Sequence, residues 1–476
     1  MLTLAIKANY KNWQTAKYHM RSFNPFYEQL DNIPNQKLNL YFVAVTLTRG
    51  EKMINGSGHL QMSEGEFELA VLNNTPPDPT EESFNAWTSI DQFPRAGKLR
   101  SAEDYCYEMI ARDSHGNHYE CKYVELRNDF ESSIYKCTFK SRITVRSEEI
   151  TEKSHVSVLF RDKYSFAGNE QEHKKTTFPT YLQPFPILKE RWRFSVGNLT
   201  LSLQSTTDGH QLDIQCVDNE QLNAVTVKRI TDALNFVMGT EHTDYYRVFF
   251  GDNNSFEVEL AVRDKPANPQ LFNPPYFRNG SWGDEAQINI ELFKYYYIFL
   301  ENNPDNILNK IHKRIIDSNS GYYYRHGLII SIGVESILKH YFPKPEEVLS
   351  DTYLQEVVKL KDASEDIEDP LLKIRYLNFI KSLTNTSNYH PGKMLSELEK
   401  TQIISAGSVK SWKTLRNRYA HGEDFNEQLP KAVNLVRKNN MILYELIFHL
   451  IGYRGKCADY SHNGGTGNKI YPPSQI

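Results

Sequence analysis

The hydrophobic period of the chain changes across a proline-rich passage, and this change limits the folds that its 476 residues can adopt. Before the passage, apolar residues alternate with polar ones or form short runs, a pattern typical of β-strands. After it, they recur every three or four residues, as in helices. The passage, residues 264–283, contains Pro266, Pro269, Pro274 and Pro275, which exclude a helix and disfavour a central strand. The sequence therefore predicts an α+β multidomain protein with a linker at this position.

Residues 1–263 are predicted to form a β-rich regulatory or sensor region, either a sandwich or an open barrel-like sheet. Strand-like segments are Leu38–Thr46, Phe67–Val71, Ile143–Val145, Val156–Phe160, Trp192–Leu203, Leu212–Cys216 and Phe256–Val262. Turn signals include Asn55-Gly56, His115-Gly116-Asn117, Asp208-Gly209 and Gly251-Asp252-Asn253. One helix is expected at Glu220–Met238, and the charged stretch Ser147–Ser154 offers a second domain boundary near residue 150.

Residues 284–455 are predicted to form an all-α bundle. The helical segments are Asp284–Glu301, Ile307–Ile316, Tyr323–Tyr341, Glu346–Lys361, Pro370–Leu383, Met394–Ile403, Ser408–Tyr419 and Pro430–Ile451. The remaining residues, 456–476, are rich in Gly and Asn, and we expect them to form a flexible tail.

Bulk composition narrows the classes of function. The net charge of −4 argues against a molecule that binds nucleic acid over its whole surface, so any such contact needs a local basic patch. The five cysteines are scattered and odd in number, which favours free thiols in a reducing cytoplasm. No signal peptide or membrane-length apolar stretch is expected, and no histidine cluster suggests a metal or another cofactor.

The segment Arg416-Asn417-Arg418-Tyr419-Ala420-His421 contains three groups suited to phosphodiester chemistry. The Arg416 guanidinium can hold a phosphate through two hydrogen bonds. The His421 imidazole can exchange a proton near neutral pH, and the Asn417 amide can orient either partner. Arginine and histidine at this spacing also occur at ordinary helix ends. The motif therefore indicates a catalytic site only together with the residues around it.

The helix that leads into this segment is predicted to bury one face and expose a basic one. Apolar residues recur at helical spacing and can dock against the bundle: Trp412, Leu415 and Tyr419. Three cations then form a rim suited to a polyanion such as RNA: Lys410, Lys413 and Arg418.

Glu335 is the candidate partner of Arg416. It follows Leu328 by seven residues and Ile332 by three, so it is predicted on or near the apolar stripe of its helix. A carboxylate in that position usually has a cationic partner. The pair could serve catalysis or only hold the bundle together, and both interpretations stay open.

With Arg416-Asn417 and His421 in a helical C-terminal region, the chain resembles the HEPN superfamily over residues 284–455. Within it, the order of a β-rich region and a helical region resembles the ApeA-like bacterial anti-phage proteins. The resemblance implies a metal-independent endoribonuclease in which Arg416, Asn417, His421 and Glu335 form the catalytic site. It also implies an RNA substrate, tRNA by analogy, a homodimer or higher homo-oligomer through the C-terminal bundle, and a phage-derived trigger sensed by the N-terminal region.

Two other functions stay open at this point. The helical region could be a non-catalytic HEPN interaction module, although an intact Arg-Asn-x-x-x-His motif argues against a scaffold alone. The β-rich region could instead be the active part, as a carbohydrate-binding or glycosidase-like sandwich.

Overall fold

The computed structural model describes residues 24, 26–63, 66–74, 102, 105–128, 134–147, 153–161, 166, 168–173, 186–189, 191–217, 221–251, 255–261, 282–318, 323–342, 350–384, 390–420, 429–460 and 467–472. The chain divides into two compact units. The first comprises Met1–Thr231 and His242–Ala267, and the second comprises Asp232–Glu241 and Asn268–Ile476. The α+β multidomain class predicted from the sequence is confirmed. The predicted linker lies outside the described residues, apart from the start of a helix at Trp282.

The first unit is built mainly of antiparallel strands. A short helix, α1 (Phe26–Leu30), precedes them. The strands are β1 (Asn39–Arg49), β2 (Lys52–Ser63), β3 (Glu66–Asn73), β4 (Tyr107–Asp113), β5 (His118–Asn128), β6 (Ile134–Phe139), β7 (Ile143–Arg146), β8 (Lys153–Phe160), β9 (Glu170–His173), β10 (Pro186–Lys189), β11 (Arg191–Val196), β12 (Leu199–Ser205), β13 (His210–Cys216), β14 (Asp244–Gly251) and β15 (Phe256–Leu260). Helix α2 (Ala224–Met238) lies between β13 and β14.

Thirteen of the described strands form one sheet, in the order β11-β12-β13-β8-β14-β15-β7-β5-β4-β1-β2-β3-β6. Pairing of β5 with β6 closes the last six strands into a ring. In β4, buried and exposed residues alternate strictly, so one face of the ring supplies the core. Of the two predicted alternatives, a sandwich and a barrel-like sheet, the structure therefore has the barrel-like sheet. Strands on either side of residue 150 belong to it, since β7 pairs with β15, so no domain boundary separates them.

Two glycine-containing turns differ from the prediction. Asn55-Gly56 lies inside β2, and the chain reverses earlier, at Gly50, whose φ is +58°. A Cβ on Gly56 would lie 2.0 Å from the Leu72 carbonyl oxygen, so glycine there allows a close approach of the two backbones. The long predicted strand Trp192–Leu203 is a hairpin that turns at Gly197, where φ is +56°.

The second unit contains the helices that follow the proline-rich passage. They are α3 (Trp282–Asn302), α4 (Leu308–Ser318), α5 (Tyr323–Tyr341), α6 (Asp351–Ala363), α7 (Pro370–Thr384), α8 (Pro391–Lys400), α9 (Ser408–Ala420) and α10 (Leu429–Ile451). The predicted helices agree in number, order and approximate bounds because their apolar period is regular. None of the described helices combines the length and apolarity needed to cross a membrane.

Helix α5 packs against α4, α9 and α10. Its Gly333 permits a close approach to α4, because a Cβ at that position would lie 3.1 Å from the side chains of Ile311 and Ile315. Val334 and Ile337 are fully buried on α5. The helix therefore forms the support on which α9, with the candidate motif, is placed.

The second unit also includes Asp232–Glu241, which is the end of α2 and the residues after it. The boundary predicted at residue 263 therefore assigns this segment to the wrong unit. The Phe236 ring stacks on that of Tyr296 with centroids 4.2 Å apart. The Asn309 amide donates a hydrogen bond of 2.8 Å to Asp232. These contacts attach the segment to α3 and α4, which periodicity within α2 alone does not reveal.

The prediction of a flexible tail at residues 456–476 is wrong for the part of it that the structure describes. Residues 455–471 contain an antiparallel hairpin of β16 (Gly455–Asp459) and β17 (Gly467–Tyr471). Cys457 and Tyr471 are buried, and the Tyr471 ring packs on Phe448 of α10 with centroids 5.4 Å apart. Gly and Asn richness suggested mobility, but the apolar residues between them anchor the hairpin to the bundle.

Candidate active site

Helix α9 docks on the bundle through the face that its sequence predicts. Trp412 and Leu415 are buried, and Lys410 and Lys413 are exposed. The Tyr419 side chain, the third predicted docking residue, lies outside the described part of the chain. On α10, the Asn439 amide donates a hydrogen bond of 3.3 Å to the Ser411 carbonyl oxygen, which fixes α9 along the bundle.

The start of α9 is held by carboxylates from other helices. Glu399 of α8 accepts hydrogen bonds from the backbone N–H groups of Gly407 and Val409, the latter at 3.4 Å. Such acceptors satisfy N–H groups that have no partner within a helix. Gly407 adopts a φ of +83°, which glycine tolerates. Just before this start, the backbone N–H of Ser405 donates to Glu445 of α10 at 3.0 Å.

Arg416 forms an ion pair with Glu335, through Nε and Oε1, and thereby joins α9 to α5. This confirms the pairing predicted from the position of Glu335. The Arg416 guanidinium carbon also lies 5.8 Å from the centroid of the Trp412 ring, within the range of a cation–π contact. The Arg416 side chain is 48% exposed and that of Glu335 is 26% exposed, so solvent and a polyanion can both reach the arginine.

Glu335 lies at the edge of the buried stripe of α5. Its neighbours Val334 and Ile337 are fully buried, whereas Ile332, one turn earlier, is 45% exposed. The predicted apolar stripe is thus displaced away from Ile332, and Glu335 reaches Arg416 from its margin.

Asn417 belongs to a different face of α9 from Arg416. It lines a surface depression of about 410 Å³ together with Lys410, Lys413 and Thr414 of the same helix. Its lining also includes Val409 of α9, Gly407 just before that helix, and Glu399 of α8. Two of the three predicted RNA-binding cations therefore share a concave surface with one predicted catalytic residue. The third, Arg418, is half-buried and does not line the depression.

Sequence reasoning missed a histidine close to this surface. A Cβ on Gly392 would lie 3.2 Å from the His390 ring and 3.3 Å from Lys413 Cε, so the two side chains flank the same glycine. His390 is therefore a neighbour of the basic rim. The pair His390-Pro391 marks the start of α8, which was a detectable signal for its position but not for its proximity to α9.

His421 lies outside the described residues, as do residues 422–428. The described contacts of the motif are therefore those of Arg416 and Asn417. The structure brings together Arg416 with Glu335, and Asn417 with Lys410 and Lys413, on two adjoining faces of α9.

The described residues contain no group of three or more His, Cys, Asp or Glu side chains suited to a metal ion. His312 and His326 of the second unit are buried, and burial lowers the pKa of each to about 4. His326 also hydrogen-bonds through Nδ1 with Ser318 Oγ at 2.9 Å. Both imidazoles are neutral at physiological pH and belong to the packing of the bundle.

Comparison with known proteins returns no similar one: no family model matches the chain, and neither a curated protein nor a solved structure matches it significantly.

Proposed function

We propose that the chain is a metal-independent endoribonuclease whose site comprises Arg416, Asn417, His421 and Glu335. The observation that carries the proposal is the half-exposed Arg416 guanidinium, anchored by Glu335, beside a depression lined by Lys410, Lys413 and Asn417. A basic concave surface next to a positioned arginine suits a phosphodiester backbone. The resemblance of the Arg-Asn-x-x-x-His motif to HEPN ribonucleases supports the same assignment.

The ion pair leaves Arg416 able to bind a phosphate. Glu335 is contacted by Nε. Among the described residues no hydrogen bond engages the two terminal amino groups of the guanidinium, which can therefore bind the non-bridging oxygens of a substrate. In the transition state these oxygens carry more negative charge, which a fixed cation stabilises. Glu335 thus acts as a positioning residue that fixes the guanidinium through a charged hydrogen bond.

The proposed reaction is an internal transesterification. His421 accepts the proton of a ribose 2′-hydroxyl, and the 2′-oxygen attacks the adjacent phosphorus. The bond from phosphorus to the 5′-oxygen breaks, and that oxygen receives a proton. The products are a 2′,3′-cyclic phosphate and a 5′-hydroxyl. Because two proton transfers are needed, we propose that a second copy supplies the other imidazole, in a homodimer or higher homo-oligomer.

The biological role follows from the resemblance. We propose a cytoplasmic effector of anti-phage defence that cleaves RNA, with tRNA as the substrate class. The β-rich unit would restrain the nuclease until it senses a phage-derived trigger. Cleavage would then stop translation and phage growth.

Inducible expression in bacteria tests this function. Wild type, Arg416→Ala and His421→Ala are compared with and without phage, and total RNA is resolved on a gel at equal protein levels. Arg325→Ala and His340→Ala serve as matched controls, because both residues are exposed on α5. The proposal expects RNA fragments or protection with wild type and both controls, and neither with the two site variants. Equal behaviour of all five proteins would make the motif structural, as in a non-catalytic HEPN module.

A further inference from the structure

The helical hairpin of α6 and α7 is unusual in how little of it is buried. Within residues 350–381, the part of the hairpin whose side chains the structure describes, only Val357, Ser364 and Ile380 are buried. By contrast, the eleven residues of α4 include six buried ones. A helix pair gains most of its stability from the apolar face that it packs against other parts of a protein. The hairpin therefore exposes the surface that would normally stabilise it.

That surface is apolar. Among its described side chains, nine are large, hydrophobic and exposed: Tyr353, Leu354, Val358, Leu360, Leu371, Leu372, Ile374, Leu377 and Phe379. Leu354 and Val358 are four residues apart on α6, and Leu372 and Phe379 are seven apart on α7. At these spacings both members of a pair lie on one face of the helix, so each helix presents two exposed apolar side chains on the same face.

We propose that the α6–α7 hairpin is a self-association surface and that its occupant is a second copy of this chain. At roughly 80 Å² of exposed apolar surface each, the nine side chains present on the order of 700 Å². The largest apolar patch on an ordinary monomer is about 300–600 Å². One partner of a standard protein interface contributes about 800 Å². The total is close to the area that one partner contributes, and the side chains that share a face supply part of it.

Charge complementarity favours a second copy over an unrelated partner. The tip of the hairpin, residues 362–369, holds five carboxylates: Asp362, Glu365, Asp366, Glu368 and Asp369. The adjoining turns of the two helices carry four cations: Lys359, Lys361, Lys373 and Arg375. A two-fold axis between these zones would place the acidic tip of each copy against the basic zone of the other.

Light scattering of the full chain after size exclusion, without RNA, tests the proposal. Wild type is expected to be a dimer or a larger oligomer. The double variant Leu372→Lys/Phe379→Lys should raise the dissociation constant of the oligomer at least about 10-fold. Leu372 is 57% exposed and Phe379 is 54% exposed. Val225→Lys, in an exposed position of α2, is the matched control because Val225 is 55% exposed. Circular dichroism and the melting temperature establish that each variant is folded.

A cysteine variant provides a second measurement that does not weaken the surface. All five native cysteines are buried, whereas Leu371 is 73% exposed. Leu371→Cys should give a covalent dimer with a short bis-maleimide, and Val225→Cys should not.

Three results would overturn the proposal: a monomeric wild type at all concentrations, an oligomer that the folded double variant leaves unchanged, or equal cross-linking at positions 371 and 225. A monomer whose double variant is destabilised would indicate that another segment of the same chain covers the hairpin. Mass and cross-linking are read without RNA, so they do not depend on catalysis. A monomeric wild type would also contradict the oligomer required by the proposed ribonuclease, whereas an oligomer that the folded double variant leaves unchanged would contradict this surface alone.

Discussion

Glu335 on α5 and Arg416 on α9 form an ion pair that joins helices 81 residues apart in the sequence. Both side chains are partly exposed, and such pairs contribute only about 0.2–1 kcal/mol to the free energy of unfolding. The pair therefore adds little to the stability of a bundle that already buries Trp412 and Leu415. Its consequence is geometric: it fixes where the Arg416 guanidinium lies.

Replacement of Glu335 separates the positioning role from a structural one. We expect Glu335→Gln to lower the free energy of unfolding by less than about 1 kcal/mol. The rate of RNA cleavage should fall at least about 10-fold, because the guanidinium loses the charge that orients it. Urea unfolding and a cleavage assay measure the two effects, with Glu301→Gln on the exposed surface of α3 as the control. A large loss of stability with unchanged cleavage would make the pair purely structural.

Lys410 and Lys413 are expected to bind the RNA backbone without reading its sequence. Each alanine variant should weaken binding uniformly across sequences and reduce the slope of log affinity against log salt by about 0.7. Fluorescence anisotropy with a single-stranded RNA, in a His421→Ala background that prevents cleavage, measures the slope. Lys310→Ala on α4, where the lysine is also exposed, should leave it unchanged. If the three variants had equal slopes, the depression lined by Lys410 and Lys413 would not be an RNA-binding surface.

The C-terminal hairpin is expected to be part of the folded core of the second unit. Lys469 of β17 pairs with Glu445, whose side chain is fully buried, and Lys469 Nζ donates to Ser405 Oγ at 3.0 Å. Removing one partner of a buried ion pair leaves an uncompensated charge, so Lys469→Met should lower the free energy of unfolding by about 3–5 kcal/mol.

Lys456→Met is the matched control for this change, because Lys456 is exposed on the neighbouring strand β16. The double variant Glu445→Leu/Lys469→Met should recover part of the lost stability, since no charge is then left buried. Chemical unfolding measures all three variants. If Lys469→Met and Lys456→Met were equally stable, the hairpin would be dispensable, as a mobile tail would be.

The buried imidazole of His312 is expected to make the second unit sensitive to acid. Burial lowers the pKa of His312 from 6.5 to about 4, so the folded state stays neutral there while the unfolded state takes up a proton. The stability from the neutral imidazole is full above pH 6.5 and is lost as the pH falls towards 4. The slope is about 1.4 kcal/mol per pH unit.

His312→Leu tests this assignment. Its stability should depend less steeply on pH between 6.5 and 4 than that of wild type, whereas His340→Leu, at an exposed position of α5, should follow wild type. Urea unfolding at several pH values measures the slopes. A His312→Leu slope equal to that of wild type would contradict the assignment.

The sequence predicted the helices well because each has a regular apolar period of its own. Helix α5 has the predicted bounds, and α9 differs from its prediction only at the end. The pairing of Glu335 with Arg416 could also be predicted, since a carboxylate at the margin of an apolar stripe needs a cation and the motif supplied one.

Long-range relationships escaped prediction because local patterns do not encode them. Gly56 looked like a turn residue, although it serves a close approach to Leu72 on the next strand. The segment 456–476 was predicted to be flexible because its anchors, such as the pair of Lys469 with Glu445, join positions distant in the sequence. For the same reason, the proximity of His390 to Lys413 could not be read from either helix alone.

The most direct test of the ribonuclease proposal uses purified protein, a labelled RNA and EDTA, with analysis of the product ends. Wild type is expected to cleave in EDTA and to leave 2′,3′-cyclic phosphate and 5′-hydroxyl ends. Arg416→Ala and His421→Ala should each reduce the rate by about 10²–10⁴-fold while keeping the wild-type melting temperature. If wild type showed no cleavage with any RNA tested, including tRNA from phage-infected cells, or if both folded variants cleaved at its rate, the proposed site would be wrong.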